Sequence, residues 1–81
     1  MDQEAIRAAA RDVIFAMVKA RVKDDESLIV SGRIDSLSIL KLIAQLEKKL
    51  AVRMPTEALQ PEDFDTIDLI VETVERVAQP R

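Results

Sequence analysis

Apolar residues recur at helical spacing in three separate stretches of this chain, and that periodicity is the strongest constraint on its fold. The first stretch predicts an amphipathic helix over residues 3–20. The second predicts a helix over residues 36–50, with Asp35 as its N-cap, because a carboxylate there can accept bonds from first-turn amides. A third helix is expected to start near Asp65–Thr66 and to end before Pro80.

The connection between the first two predicted helices is long. Residues 21–35 follow no helical or strand periodicity, and a loop of this length in a small domain usually serves a function. Its apolar residues Leu28, Ile29 and Ile34 are expected to attach it to the core. The sequence therefore predicts a long first loop that is anchored at several points.

The second connection contains two prolines. Pro55 disfavours helix at Met54, and Pro61 suits the first turn of a short helix. Leu59 and Phe64 are the expected apolar anchors of this segment. We therefore predict an all-α fold, a small four-helix bundle of three main helices and one short helix, forming a single domain over residues 1–81.

Two residue types that most enzymes use are missing. The chain has no cysteine and no histidine, which excludes a disulfide framework, a thiolate nucleophile and the usual zinc sites and general bases. At 81 residues it has little room for an enclosed active site. We expect a protein that is not an enzyme and has no metal site. No apolar run is long enough to span a membrane and no signal-peptide pattern is present, so the expected location is the cytoplasm.

Charge is unevenly distributed along the chain. Residues 27–53 carry five basic and two acidic residues, whereas residues 54–81 carry seven acidic and two basic ones. The chain has two phenylalanines and no tryptophan or tyrosine to stack on bases. This pattern favours protein partners over nucleic acid. Asp65 and Asp68, near the start of the third helix, are expected to cap it and offset its dipole.

The second helix divides its apolar residues into two groups. One group occupies about a third of the helical circumference and forms the expected core face. It consists of Ile39, Leu42, Ile43, Leu46 and Leu50. Leu37, Leu40 and Ala44 lie in a separate sector bordered by Lys41 and Lys48, and this sector is predicted to be an exposed docking surface.

Ser36 is predicted to be the first residue of that second helix. Its hydroxyl would lie at the positive end of the helix dipole, where a bound phosphate is favoured. No neighbouring residue could act as the base that a catalytic serine needs. Position alone leaves two readings open: an ordinary helix-start serine, or a serine that receives a phosphate-linked group from another protein.

The segment GRIDSLSILKLIAQLEKKL resembles the corresponding part of acyl carrier proteins and related thiolation domains. It follows a long loop and precedes a proline-containing break and the segment DFDTIDLIVETV, so the resemblance covers nearly the whole chain. The motif itself is Asp35-Ser36-Leu37, preceded by Gly32 and followed by a helix with leucines at 42 and 46. Its position at the start of the second helix of a small helical domain makes it specific.

This resemblance implies that a Mg²⁺-dependent phosphopantetheinyl transferase attaches 4′-phosphopantetheine from coenzyme A to Ser36. The thiol of the arm would carry acyl or aminoacyl groups as thioesters. Asp35 would help the transferase engage the motif, and Leu37 would pack against the transferase and later partners. The predicted partner-binding residues are Arg33, Leu37, Leu40, Lys41, Ala44 and Lys48. Further expected partners are an acyl- or aminoacyl-loading ligase and downstream acyl-processing enzymes, and the protein is expected to be a monomer.

The chain departs from the family pattern in the charge of its second helix. Carriers of fatty acid biosynthesis usually have an acidic helix here, whereas this helix has Glu47 against Lys41, Lys48 and Lys49. A carrier dedicated to a specialised lipid, polyketide or amino-acid pathway is therefore favoured over a general role in fatty acid biosynthesis and lipid metabolism. The segments also resemble, more loosely, D-alanyl and peptidyl carrier proteins. An unmodified helical interaction domain with a carrier-like fold remains the alternative.

Overall fold

A computed structural model describes residues 2–80. Three α-helices are the main elements of this part of the chain. They are α1 Gln3–Val18, α2 Ser36–Leu50 and α3 Ile67–Val77. Helix α1 ends two residues earlier than predicted, because Lys19 adopts a left-handed conformation with φ of 59° and its amide donates to the carbonyl of Phe15. The predicted bounds of α2 are confirmed.

The segment between α2 and α3 contains two 3₁₀ helices, Thr56–Ala58 and Pro61–Phe64, where one short helix was predicted. Pro61 is the first residue of the second of these, as expected, and Phe64 is fully buried while Leu59 is half-buried. The strands β1 Val52–Arg53 and β2 Gln79–Pro80 pair in antiparallel register, with Val52 opposite Pro80. This small ladder was not predicted, since two-residue strands leave no periodic signal.

Helix α1 is the centre of the packing, since it contacts both α2 and α3. Helices α2 and α3 are bridged by the 3₁₀ helix Pro61–Phe64, which contacts both of them. Apolar side chains from one face of each α-helix form most of the core, and Val52, Met54 and Phe64 of the later segment complete it together with residues of the first loop. On α2 the buried residues are Ile39, Leu42, Ile43 and Leu46, as predicted, and Leu50 is half-buried. Within residues 2–80, no helix combines the length and the apolar character that crossing a membrane requires.

The long first loop is attached to the core as predicted. Leu28 and Ile34 are buried, and Ile29 is half-buried against the same cluster. An ion-pair network holds the early part of the loop. Asp24 accepts from Arg7 at 2.7 Å and from two nitrogens of Arg11 at 2.7 and 3.1 Å. The backbone carbonyl of Asp24 also accepts from the amide of Asp68, which connects the loop to α3.

We expect Asp24→Ala to lower the free energy of unfolding by about 1–2 kcal/mol at pH 7, because the arginines lose a shared, partly exposed partner. Hydrogen bonds from Arg11, and then from Arg7, hold the pKa of Asp24 below its ordinary value. A lowered folded-state pKa means that this stabilisation is present above the unfolded pKa and is lost as the pH falls below about 4.

Urea unfolding of the wild type and Asp24→Ala at pH 7 and pH 3 measures this effect, with Asp25→Ala as the control for loss of a neighbouring exposed carboxylate. The difference in the free energy of unfolding between the wild type and Asp24→Ala should be smaller at pH 3 than at pH 7. A deficit of equal size at both pH values would contradict the role of the ionised carboxylate.

Candidate functional site

Ser36 is the first residue of α2 and is exposed to solvent. Asp35 precedes it in extended conformation, and its Oδ1 accepts from the amide of Ser38 at 2.8 Å. The amide of Ile39 donates to the carbonyl of Asp35, which closes the first helical bond. The predicted N-cap is therefore confirmed, and the Ser36 side chain lies outside the bundle.

The chain enters this helix through a turn that requires a glycine. Gly32 has φ of +79°, and its amide donates to the carbonyl of Ile29 at 3.0 Å. No atom lies within 4 Å of where a Cβ would stand, so the backbone conformation and not the available space selects glycine here. Ile34 then inserts into the core and its amide donates to the carbonyl of Leu28 at 3.1 Å. This anchor lies two residues before Ser36.

The apolar sector of α2 that was predicted to face solvent is exposed. Leu37 is 79% exposed and Leu40 is 61% exposed, and Ala44 is also exposed. These leucines are two of the five large hydrophobic residues exposed within residues 2–80. Leu37 therefore does not belong to the core, and its side chain is available for contact with a partner.

The charge around this sector is positive. Lys41 and Lys48 are exposed at its border. Glu47, the one acidic residue of α2, turns to the following segment, where its Oε2 accepts from the amide of Met54 at 2.8 Å. Arg33 is bound by Glu26 at 3.0 Å, so its charge is locally balanced. The basic character of this side of α2 therefore comes from its lysines.

Asp35 is a poor candidate for a base that would activate Ser36. The bond from the Ser38 amide is the main reason that the pKa of Asp35 lies below its ordinary value. A carboxylate that already accepts a hydrogen bond and has a lowered pKa is a weaker base than a free one. The chain has no histidine, so the usual general base is missing, and the neighbouring carboxylate of Asp35 is already engaged by the Ser38 amide.

The site suits a phosphate-linked arm. The hydroxyl is exposed, it stands at the positive end of a 15-residue helix, and the nearest carboxylate is turned toward the Ser38 amide. An attached phosphodiester would lie outside the bundle, so the core would not need to rearrange. The arm when attached supplies a thiol, which this chain lacks.

The apolar anchors of the loop were predicted, but the polar side chains that hold it in place were not. Asp65 was expected to cap α3, but Thr66 is the cap, accepting from the amide of Leu69 at 3.0 Å. Asp65 instead binds Ser27 and Ile29 of the loop. Asp68 pairs with Arg7 at 2.6 Å. These partners are far away in the chain, so no local sequence pattern pointed to them.

Comparisons with known proteins identify the family to which this chain is similar. Residues 4–74 match the model of the family described as phosphopantetheine attachment site. The D-alanyl carrier protein of Streptococcus sanguinis (strain SK36) is 32% identical over 71 residues, which is 85% of this chain and 90% of the relative. That of Streptococcus uberis (strain ATCC BAA-854 / 0140J) is 36% identical over 68 residues, 84% of this chain and 85% of the relative.

Replacing Asp35 tests the cap. Asp35→Ala should lower the melting temperature, because the Ser38 amide loses its acceptor, while Asp35→Asn should stay close to the wild type because its amide oxygen can still accept. Thermal unfolding followed by circular dichroism measures both, and hydrogen exchange at the Ser38 amide reports the bond itself. An Asp35→Ala variant with the melting temperature of the wild type, and with a Ser38 amide still protected from hydrogen exchange, would show that the cap does not stabilise the start of the helix.

Proposed function

The chain belongs to the phosphopantetheine attachment-site family of carrier proteins, and on that basis we propose that its 4′-phosphopantetheine arm is attached to Ser36. The protein is a carrier, so it holds acyl or aminoacyl groups as thioesters while other enzymes act on them. The observation that supports the attachment residue is the exposed hydroxyl at the first position of α2, directly after the capping aspartate.

Attachment is a substitution at phosphorus in which a phosphopantetheinyl transferase does the chemistry. The Ser36 oxygen bonds to the phosphorus that bears pantetheine in coenzyme A, and the pyrophosphate bond breaks. Adenosine 3′,5′-bisphosphate leaves, and the serine proton passes to a base of the transferase. This chain contributes a hydroxyl that is exposed and held by a capped helix, while the base and the Mg²⁺ belong to the transferase.

The cargo is an aminoacyl or other specialised acyl group in this proposal. D-alanyl carrier proteins of streptococci are similar over most of the chain, which favours an aminoacyl group such as D-alanyl. The lysines of α2 also separate it from carriers that meet basic enzymes through acidic helices, so a role in general fatty acid biosynthesis is disfavoured. A cytoplasmic monomer fits these reactions, since coenzyme A is available there.

Partner enzymes dock on the side of α2 next to Ser36. Leu37, Leu40 and Ala44 offer exposed apolar area, and Lys41 and Lys48 border it. An apolar patch with a cationic border complements an apolar hollow with an acidic rim on the loading ligase and on downstream acyl-processing enzymes. Arg33 is a weaker contributor because Glu26 already binds it.

Incubation with coenzyme A, Mg²⁺ and a promiscuous phosphopantetheinyl transferase should raise the intact mass by one phosphopantetheine. Ser36→Ala should show no gain, and Ser38→Ala, a serine of the same helical turn, should gain normally. No gain in the wild type, with the transferase active on a control carrier, would overturn the proposal. Partner binding that is unaffected by Ser36→Ala would favour the unmodified interaction domain.

The cargo is tested by giving the loaded protein D-alanine, ATP and a ligase that activates D-alanine. We expect the mass to rise further by one D-alanyl group, in a form that hydroxylamine releases because it is a thioester. A D-alanine ligase that leaves the loaded protein unchanged, while it charges the D-alanyl carrier of Streptococcus uberis, would exclude this cargo.

The docking surface is tested by charge reversal in the same ligase assay. Lys41→Glu combined with Lys48→Glu should lower kcat/KM by about tenfold at low salt, and added salt should reduce the difference. Lys23→Glu, in the exposed part of the first loop, is the single-charge control and should change kcat/KM little. A rise in kcat/KM on charge reversal would mean that the partner surface is basic.

A further inference from the structure

Asp65 connects the end of the 3₁₀ helix Pro61–Phe64 to the long first loop. It is half-buried, and its Oδ1 accepts from the hydroxyl of Ser27 at 2.7 Å and from the amide of Ile29 at 3.0 Å. Its backbone carbonyl accepts from the amide of Leu28 at 2.6 Å. One residue therefore fixes three consecutive residues of the loop.

Further hydrogen bonds connect these loop residues to the segment that leads into α2. The Ser27 hydroxyl accepts from the amide of Val30 at 3.1 Å. The carbonyl of Leu28 accepts from the Ser31 hydroxyl at 3.2 Å and from the amide of Ile34 at 3.1 Å. The next residue after Ile34 is the cap of α2, and Ser36 follows it.

The Asp65 carboxylate acts here as a hydrogen-bond acceptor. It takes part in no ion pair with any residue of the described part of the chain, in contrast to Asp24 and Asp68. Without its oxygen, the Ser27 hydroxyl and the Ile29 amide would lose their partner in a half-buried position, and the turn that leads to Ile34 would be free to shift. Leu28 and Ile34 would still be apolar, so the bundle keeps its core.

We propose that Asp65 is a positioning residue for the loading of Ser36, an inference that rests on the proposed attachment at that serine. The transferase must bring the Ser36 oxygen in line with the phosphorus of coenzyme A. Displacement of a reacting atom by about 1 Å can slow such a step many-fold, even when the change is made far from the reacting atoms. Asp65 acts through the loop on the position of the hydroxyl and does not touch coenzyme A.

The test is the steady-state kinetics of arm transfer from coenzyme A by a promiscuous transferase, with each carrier variant as the varied substrate. Asp65→Ala should lower kcat about tenfold with a nearly unchanged KM for the carrier. Asp65→Asn should be close to the wild type, because the amide oxygen can accept the same two bonds. Glu62→Ala, which removes an exposed carboxylate from the 3₁₀ helix just before Asp65, is the matched control.

The split between kcat and KM separates positioning from simple destabilisation. If Asp65→Ala only reduced the folded population, the folded fraction would react normally, so the apparent KM would rise and kcat would be retained. Ser27→Ala removes the other half of the pair and should lower kcat in the same direction by about threefold. It tests the inference even if Asp65→Ala fails to fold. The double variant of Ser27→Ala with Asp65→Asn should be no slower than Ser27→Ala alone.

Three results would overturn the inference. The first is a kcat of Asp65→Ala within twofold of the wild type, and the second is a loss of kcat in Asp65→Asn as large as in Asp65→Ala. The third is an unchanged kcat in Ser27→Ala when Asp65→Ala is unfolded. In each of these cases the wild type still takes up the arm, so the proposed function stands. A wild type that takes up no arm removes both the proposed function and the inference.

Discussion

Burial of Leu28 and Ile34 determines where α2 begins, and the rest of the site depends on that start. The two residues fasten a long loop whose backbone would otherwise be free to move. Once Ile34 is buried, the following aspartate reaches the helix in extended conformation and caps it. Ser36 then occupies the exposed first position of the helix.

The remaining surface of α2 follows from the limited width of a helical core face. The helix packs against α1 and the 3₁₀ helix Pro61–Phe64, and this packing covers only one side of it. Leu37 and Leu40 lie outside that side and remain in solvent, beside the exposed side chains of Lys41 and Lys48. The exposed hydroxyl of Ser36, an apolar patch and positive charge thus lie together on one side of the molecule, which suits a carrier that binds several enzymes in turn.

The parts of the structure that sequence predicted are those whose signals are local. The cap at Asp35, the bounds of α2 and the exposure of Leu37 follow from residues within one or two helical turns. The end of α1 was placed two residues too late because Lys19, a residue without special turn propensity, adopts a left-handed conformation. Asp65 contacts Ser27 and Ile29, from which it is separated by 38 and 36 positions in the chain, and no periodicity reveals such a pairing. The exposed position of Ser36 directly after its cap was therefore predictable, whereas the hydrogen bonds that hold the loop before it were not.

Peptide mapping of the protein after loading from coenzyme A tests the central claim most directly. Trypsin should release residues 34–41, since arginine and lysine precede and end this segment, and the peptide contains both Ser36 and Ser38. Fragmentation of the peptide distinguishes the two hydroxyls. We predict that phosphopantetheine is found on Ser36 alone, and its presence on Ser38, on another peptide or on none would contradict the account.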